Sequence, residues 1–241
     1  MKKKLEAYNF THKGKRKTNE DFVISDPDNG IFIIADGLGG HDYGEVASKI
    51  VSQSCYDFLL NKKVTNEEQA NEMMLFIQEK LISNVQENPA HLSMGTTLAC
   101  VQFNNETISI MHIGDSRVYH LNAQSEIFWC TRDDSYVQEL VEAGIISKEK
   151  AETHAYRNRL TKSISANGKH KEVNISFKLL TNLGESDILF LCTDGVFDSY
   201  SEKSLLHHLR QEKNGINLLK KLEKVTEEIS SDNTTAIFVA F

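Results

Sequence analysis

The chain has 241 residues, 40% hydrophobic and 25% charged, enough to bury a sizeable core in one large domain or two small ones. A formal net charge of −7 excludes the domain-wide basic excess of a nucleic-acid binder. No run of about 18 apolar residues suits a membrane span, and the basic start Met1-Lys2-Lys3-Lys4 leads into no apolar signal segment.

Cys55, Cys100, Cys130 and Cys192 form no C-x-x-C pair. They read as reduced core thiols of a cytoplasmic protein. With only Pro27 and Pro89 as prolines and no Pro- or Ser-rich linker, residues 1–241 read as one domain.

Residues 5–12 partly alternate and suit a first strand. The basic turn Lys13-Gly14-Lys15-Arg16-Lys17 follows. A lone basic run is usually a solvated loop, but this one adjoins Asn19-Glu20-Asp21. Cations beside an acid cluster suit an anionic substrate such as phosphate, which the planar fork of an arginine holds best. The apolar runs 22–25 and 31–35, separated by Pro27-Asp28-Asn29-Gly30, read as a hairpin. The second run ends in Asp36 and breaks into Gly37-Leu38-Gly39-Gly40-His41, where glycines let the backbone approach a ligand. A carboxylate at a strand end, beside exposed backbone carbonyls, is a place to hold a hard divalent cation.

From Glu45 to Leu60 apolar residues recur at helical spacing, and again from about Asn66 to Glu87, where Met73 and Met74 read as packing. Two consecutive long helices suggest an antiparallel pair on one sheet face. Strands are expected at 96–101 and 106–113, joined at Asn104-Asn105, and a hairpin at 117–121 and 126–130. A short helix at 136–143 ends at Gly144. Residues 147–171 are polar and rich in cations, and read as a surface flap at about 145–172. Strands at 173–180 and 187–193, helices at 201–210 and 215–229, and a strand at 234–240 complete the order. Hairpins dominate, so the expected fold class is α+β, a four-layer α-β-β-α sandwich of two mainly antiparallel sheets flanked by helix pairs.

Acids mark the edges of these strands. Glu20 and Asp21 precede one, Asp36, Asp115 and Asp194 follow others, and Asp232 precedes the last. If the strands share one core, their ends can converge into a set of oxygen ligands. Thr96 and Thr97 read as strand packing, and Arg117 as a structural ion-pair partner of Asp115. Ser116 has no evident histidine base and is no candidate nucleophile. His112 and His120 read as packing or surface residues, and His207-His208 as solvated. Gly-x-Gly-Gly matches neither common nucleotide-phosphate loop.

Six pieces occur in order: Arg16-x-x-Asn19-Glu20-Asp21, Asp36-Gly37-x-Gly39-Gly40-His41, Gly95-Thr96-Thr97, Gly114-Asp115-Ser116-Arg117, Thr193-Asp194-Gly195 and Asp232-Asn233. Together they resemble the metal-dependent protein phosphatase 2C family, especially its compact bacterial members, from about Lys13 to Phe241. The resemblance implies a β-sandwich flanked by helix pairs. It also implies hydrolysis of phosphoserine and phosphothreonine on proteins with two Mn²⁺ or Mg²⁺ ions. Carried over by position, Asp36 bridges the ions, Gly37 offers its carbonyl, and Asp194 and Asp232 complete the shell. Glu20 and Asp21 act directly or through water, Asp115 helps bind a third, weaker ion, and Arg16 grips the substrate phosphate. Leu38 stands where many eukaryotic members have a histidine that protonates the leaving group, which leaves His41 as a proton donor or substrate contact. Asp134 stands where bacterial relatives often have histidine, and Ala155 where proline is usual.

The implied partners are phosphoproteins and an opposing serine/threonine kinase, for a monomer without nucleic acid or membrane. Two other readings are a catalytically weak phosphoprotein-binding sensor, which the retained Asp36, Asp194 and Asp232 argue against, and a small-phosphoester hydrolase.

Overall fold

A computed structural model of the chain describes residues 5–38, 43–122, 128–166, 174–184, 186–212 and 214–241. The elements run β1 (Glu6–His12), β2 (Phe22–Asp26), β3 (Ile31–Ala35), α1 (Gly44–Asn61), α2 (Glu67–Glu87), β4 (Gly95–Thr96), β5 (Leu98–Asn104) and β6 (Thr107–Ile113). Then come β7 (Arg117–Leu121), β8 (Phe128–Cys130), α3 (Tyr136–Glu142), α4 (Lys148–Glu152), β9 (Ile164–Ser165) and β10 (Ser176–Leu180). The last are β11 (Ile188–Cys192), α5 (Asp194–Phe197), α6 (Glu202–Gln211), α7 (Gly215–Ile229) and β12 (Thr234–Ala240).

Two five-stranded sheets carry the fold, in the orders β1-β12-β11-β7-β8 and β10-β6-β5-β3-β2. Every neighbouring pair in both is antiparallel. Strand alternation builds three apolar layers. On β3, Ile31 and Ile33 meet the helix pair α1–α2, while Phe32 and Ile34 face the other sheet. On β12, Ala236 and Phe238 meet α6 and α7, while Ile237 and Val239 face inward. Both faces of the central strands are therefore covered, which is why they read as continuous apolar runs. Burying each of the isoleucines, phenylalanines and the valine contributes about 1.5–3 kcal/mol. Side-chain caps start the helices: Asn66 accepts from Gln69 N, Ser201 from Ser204 N and Asn214 from Asn217 N.

Several sequence expectations need correction. The strand expected at 96–101 is broken at Thr97: Gly95–Thr96 pairs with β9 instead, and β5 runs on to Asn104. The flap contains a short helix, α4, capped by the Ser147 side chain. A 3-10 turn at Pro89–Ser93 and the single-turn α5 were not foreseen. The β7–β8 hairpin is present, with residues 123–127 of its loop outside the described residues.

Register sets where the acids go. Phe22 pairs with Ala35, which places Asp21 and Asp36 at one end of their sheet. Cys192 pairs with both Ala236 and Arg117, which places Asp194, Asp232 and Asp115 at one end of the other.

Candidate metal centre

These ends meet at one edge of the sandwich. Asp36 leaves β3 into a turn whose backbone is held by two threonines. Thr97 Oγ1 accepts from Asp36 N at 2.9 Å, and Thr96 Oγ1 donates to Asp36 O at 2.8 Å. Thr97 Oγ1 also shares a 2.6 Å hydrogen bond with Ser116 Oγ, beside Asp115. Thr96 and Thr97 are buried, as strand packing requires, but their hydroxyls also hold the Asp36 turn, a role that the packing expectation missed. Thr97→Val is expected to cost about 1–3 kcal/mol by leaving the Asp36 amide without its acceptor, read as a lower urea midpoint at unchanged m-value.

Gly37 has no room for a side chain. A Cβ there would lie 2.5 Å from Gly44 O and 2.8 Å from Glu20 O. Glu20 is fixed through its backbone: its carbonyl accepts from Gly37 N at 3.2 Å and Ser48 Oγ at 2.6 Å, and its amide donates to Asn233 Oδ1 at 2.8 Å. Asn233 also donates to Lys13 O and Thr18 O, each at 2.9 Å. One amide side chain thereby ties the whole Lys13–Glu20 loop to β12. Its neighbour to Asp232 was visible in the sequence, but this bracing role was not.

Asp21 Oδ2 accepts from Thr193 Oγ1 at 2.9 Å and Thr235 Oγ1 at 2.7 Å. Its Oδ1, like Asp194 Oδ1, is buried without a hydrogen-bond partner. Arg16 Nη2 donates to Asp232 Oδ2 at 2.6 Å. Arg117 pairs with Asp133, at 2.9 and 2.6 Å, rather than with Asp115, and its guanidinium lies 3.8 Å from the centre of the Phe197 ring. The Asp115 carboxyl is left for other work. Gly39, Gly40 and His41 lie outside the described residues.

Burial and mutual repulsion dominate the electrostatics. Burial pushes Asp21 and Asp115 up to about 7, further raised by the charge of Asp232 and of Asp133 respectively. Asp36 is driven well above the usual carboxylate range by burial and then by Asp194, Asp21 and Asp115. Asp194 is driven the same way by burial, Asp115 and Asp232. Burial and Glu45 raise Glu20.

A hard divalent cation fits such a set. It would supply the positive charge that these carboxyls lack and would take the two orphaned oxygens. Among the described residues no three His, Cys, Asp or Glu side chains already close on one point. Asp115, Asp194 and Asp232 line a cleft of about 1030 Å³, together with Trp129, Arg157 and Asp198.

The Protein phosphatase 2C family model matches residues 11–229. The serine/threonine protein phosphatase PstP of Mycobacterium tuberculosis is 29% identical over 202 residues, covering 81% of this chain and 37% of that protein. The serine/threonine phosphatase stp of Listeria monocytogenes is 34% identical over 213 residues, covering 84% and 82%. A crystal structure of M. tuberculosis PstP/Ppp superposes with a TM-score of 0.86 at 26% identity, covering 98% of each chain. A structure of the PstP catalytic domain in complex with two manganese ions gives 0.82 at 26%, covering 98% and 97%. The chain spans little more than a third of the mycobacterial protein but most of the listerial one. The chain belongs to the protein phosphatase 2C family.

Proposed function

We propose that the chain hydrolyses phosphoserine and phosphothreonine on proteins, using two Mn²⁺ or Mg²⁺ ions with a weaker third. The observation that carries this reading is the mutually repelling set Asp21, Asp36, Asp115 and Asp194 at one sandwich edge, Asp21 and Asp115 buried and the other two partly so. When bound, the ions supply an activated water and offset charge on the phosphoryl oxygens. Asp36, the Gly37 carbonyl, Asp194 and Asp232 hold them, with Glu20 and Asp21 acting directly or through water. Asp115 serves the third ion. Thr96, Thr97 and Asn233 keep the Asp36 and Glu20 backbones in place. Arg16 keeps one donor on Asp232 and presents others of its five to the substrate phosphate. His41 is the candidate for donating a proton to the leaving serine or threonine oxygen.

The unit is one catalytic domain, residues 1–241, with a flap at about 145–172. The protein works as a cytoplasmic monomer opposite a serine/threonine kinase. Four free cysteines, three of them buried, suit a reducing compartment. Among the described residues no helix is long and apolar enough to cross a membrane.

The test is phosphate release from a phosphothreonine peptide. Release with Mn²⁺ that stops on chelation is expected. A folded, Mn²⁺-supplied protein that binds the peptide without releasing phosphate would make it a sensor, and turnover of nucleotides but not peptide would make it a small-phosphoester hydrolase.

A further inference from the structure

Asp134 sits on the loop between β8 and α3, its side chain only 3% exposed. It meets Gly114, the residue before Asp115, twice. Gly114 N donates to Asp134 Oδ2 at 3.2 Å, and Asp134 N donates to Gly114 O at 2.8 Å. On its other side it meets the flap. Lys162 Nζ lies 3.1 Å from Asp134 Oδ1, and Thr161 N donates to Asp134 O at 2.8 Å. Arg132 Nη1 is farther, at 3.7 Å, while Arg132 Nε and Nη2 donate to Glu142 at 2.5 and 2.7 Å. Adjacent contacts align the same two segments: Ser135 bridges Leu160, and Tyr136 N donates to Arg159 O at 2.8 Å. One buried carboxylate therefore has one oxygen on the turn that carries Asp115 and the other on a flap lysine.

We infer that Asp134 is a positioning residue that couples the flap, through Lys162, to the Gly114–Asp115 turn, so that how the flap lies sets where Asp115 is held. Two features make the coupling directional. Gly114 has φ +100, and a side chain there would strike Thr97 at 2.6 Å, so this turn is packed closely against Thr97 on one side and hydrogen-bonded to Asp134 on the other. The Lys162 end is half exposed, at 48%, and is the end that an approaching protein can disturb. The effect on turnover rests on the assignment of Asp115 above; the mechanical link does not.

The test reads the link without turnover first. In the metal-free protein, Lys162→Met keeps the aliphatic stem and removes the charge. Hydrogen exchange of the Gly114 amide, followed by NMR, is expected to quicken about two- to fivefold, the size of a partly exposed ion pair, although Lys162 does not touch Gly114. In an Asp134→Asn background the same change adds nothing, because the route is cut. Lys148→Met, a flap cation that makes no described ion pair with Asp134, is the control and leaves the exchange unchanged. In turnover, Lys162→Met lowers kcat by a similar factor on a phosphothreonine peptide and on para-nitrophenyl phosphate, with KM for the peptide nearly constant. Unchanged Gly114 exchange together with a rise in peptide KM alone would make Lys162 a substrate contact and overturn the coupling. Altered exchange in a protein that releases no phosphate would leave the link standing and remove the phosphatase reading instead.

Discussion

Asp36→Asn is expected to lower kcat/KM on a phosphothreonine peptide by about a thousandfold or more, while raising the melting temperature of the metal-free protein. A thousandfold is about 4 kcal/mol of transition-state stabilisation. That is the scale seen when one preorganised electrostatic group is removed from a dry site. An amide cannot supply the negative charge that holds two cations, so the loss should exceed that of a single hydrogen bond. The stability gain follows from the same surroundings. The Asp36 carboxyl is partly buried and lies in the field of Asp194, Asp21 and Asp115, all of which oppose its ionisation. An asparagine of equal size removes the repulsion. Each kcal/mol gained moves the melting temperature by about 2–4 °C in a chain of this length. Turnover within tenfold of wild type would remove Asp36 from the reacting centre. A lower metal-free melting temperature would mean that the acid cluster is not strained.

The second large effect is on pH. Asp21 and Asp115 are ordinary carboxyls near 3.8 when unfolded and are pushed up to about 7 when folded. Between those values the folded protein binds more protons than the unfolded one. Stability of the metal-free protein therefore falls as pH rises from about 4 to about 7. The slope approaches about 1.4 kcal/mol per pH unit for each such carboxyl. Saturating Mn²⁺ displaces those protons, so the rise in melting temperature on adding it should be larger at pH 7.5 than at pH 5.5. Calorimetric titration in two buffers of different ionisation enthalpy should show proton release on binding. Metal-free stability that climbs from pH 5 to 7, or binding without proton release, would sink the account.

Much of this was legible before any coordinates. The central strands announce themselves as unbroken apolar runs because a helix layer covers one face and the second sheet the other. The acids stand out because each interrupts such a run at its end. What the runs cannot say is which ends are neighbours. That depends on register, such as Cys192 opposite both Ala236 and Arg117, and here it came from the resemblance of six ordered motifs. The supporting polar residues were hidden for a different reason. Thr97, Asn233 and Asp134 look like turn or strand residues locally, and their roles lie in partners distant in sequence: Asp36, Glu20 and Lys162. Arg117 was assigned to its nearer acid in sequence, and folding gave it Asp133 instead.

Asn233 reaches back across 213 residues to the amide of Glu20, and β12 pairs along the whole of β1. Closing so long a loop is slow and entropically costly. On a ribosome that emits roughly 5–20 residues per second, the segment bearing Glu20 and Asp36 waits until the final strand emerges before it has anything to lean on. The acid cluster at the sandwich edge is therefore braced only once β12 has joined β1.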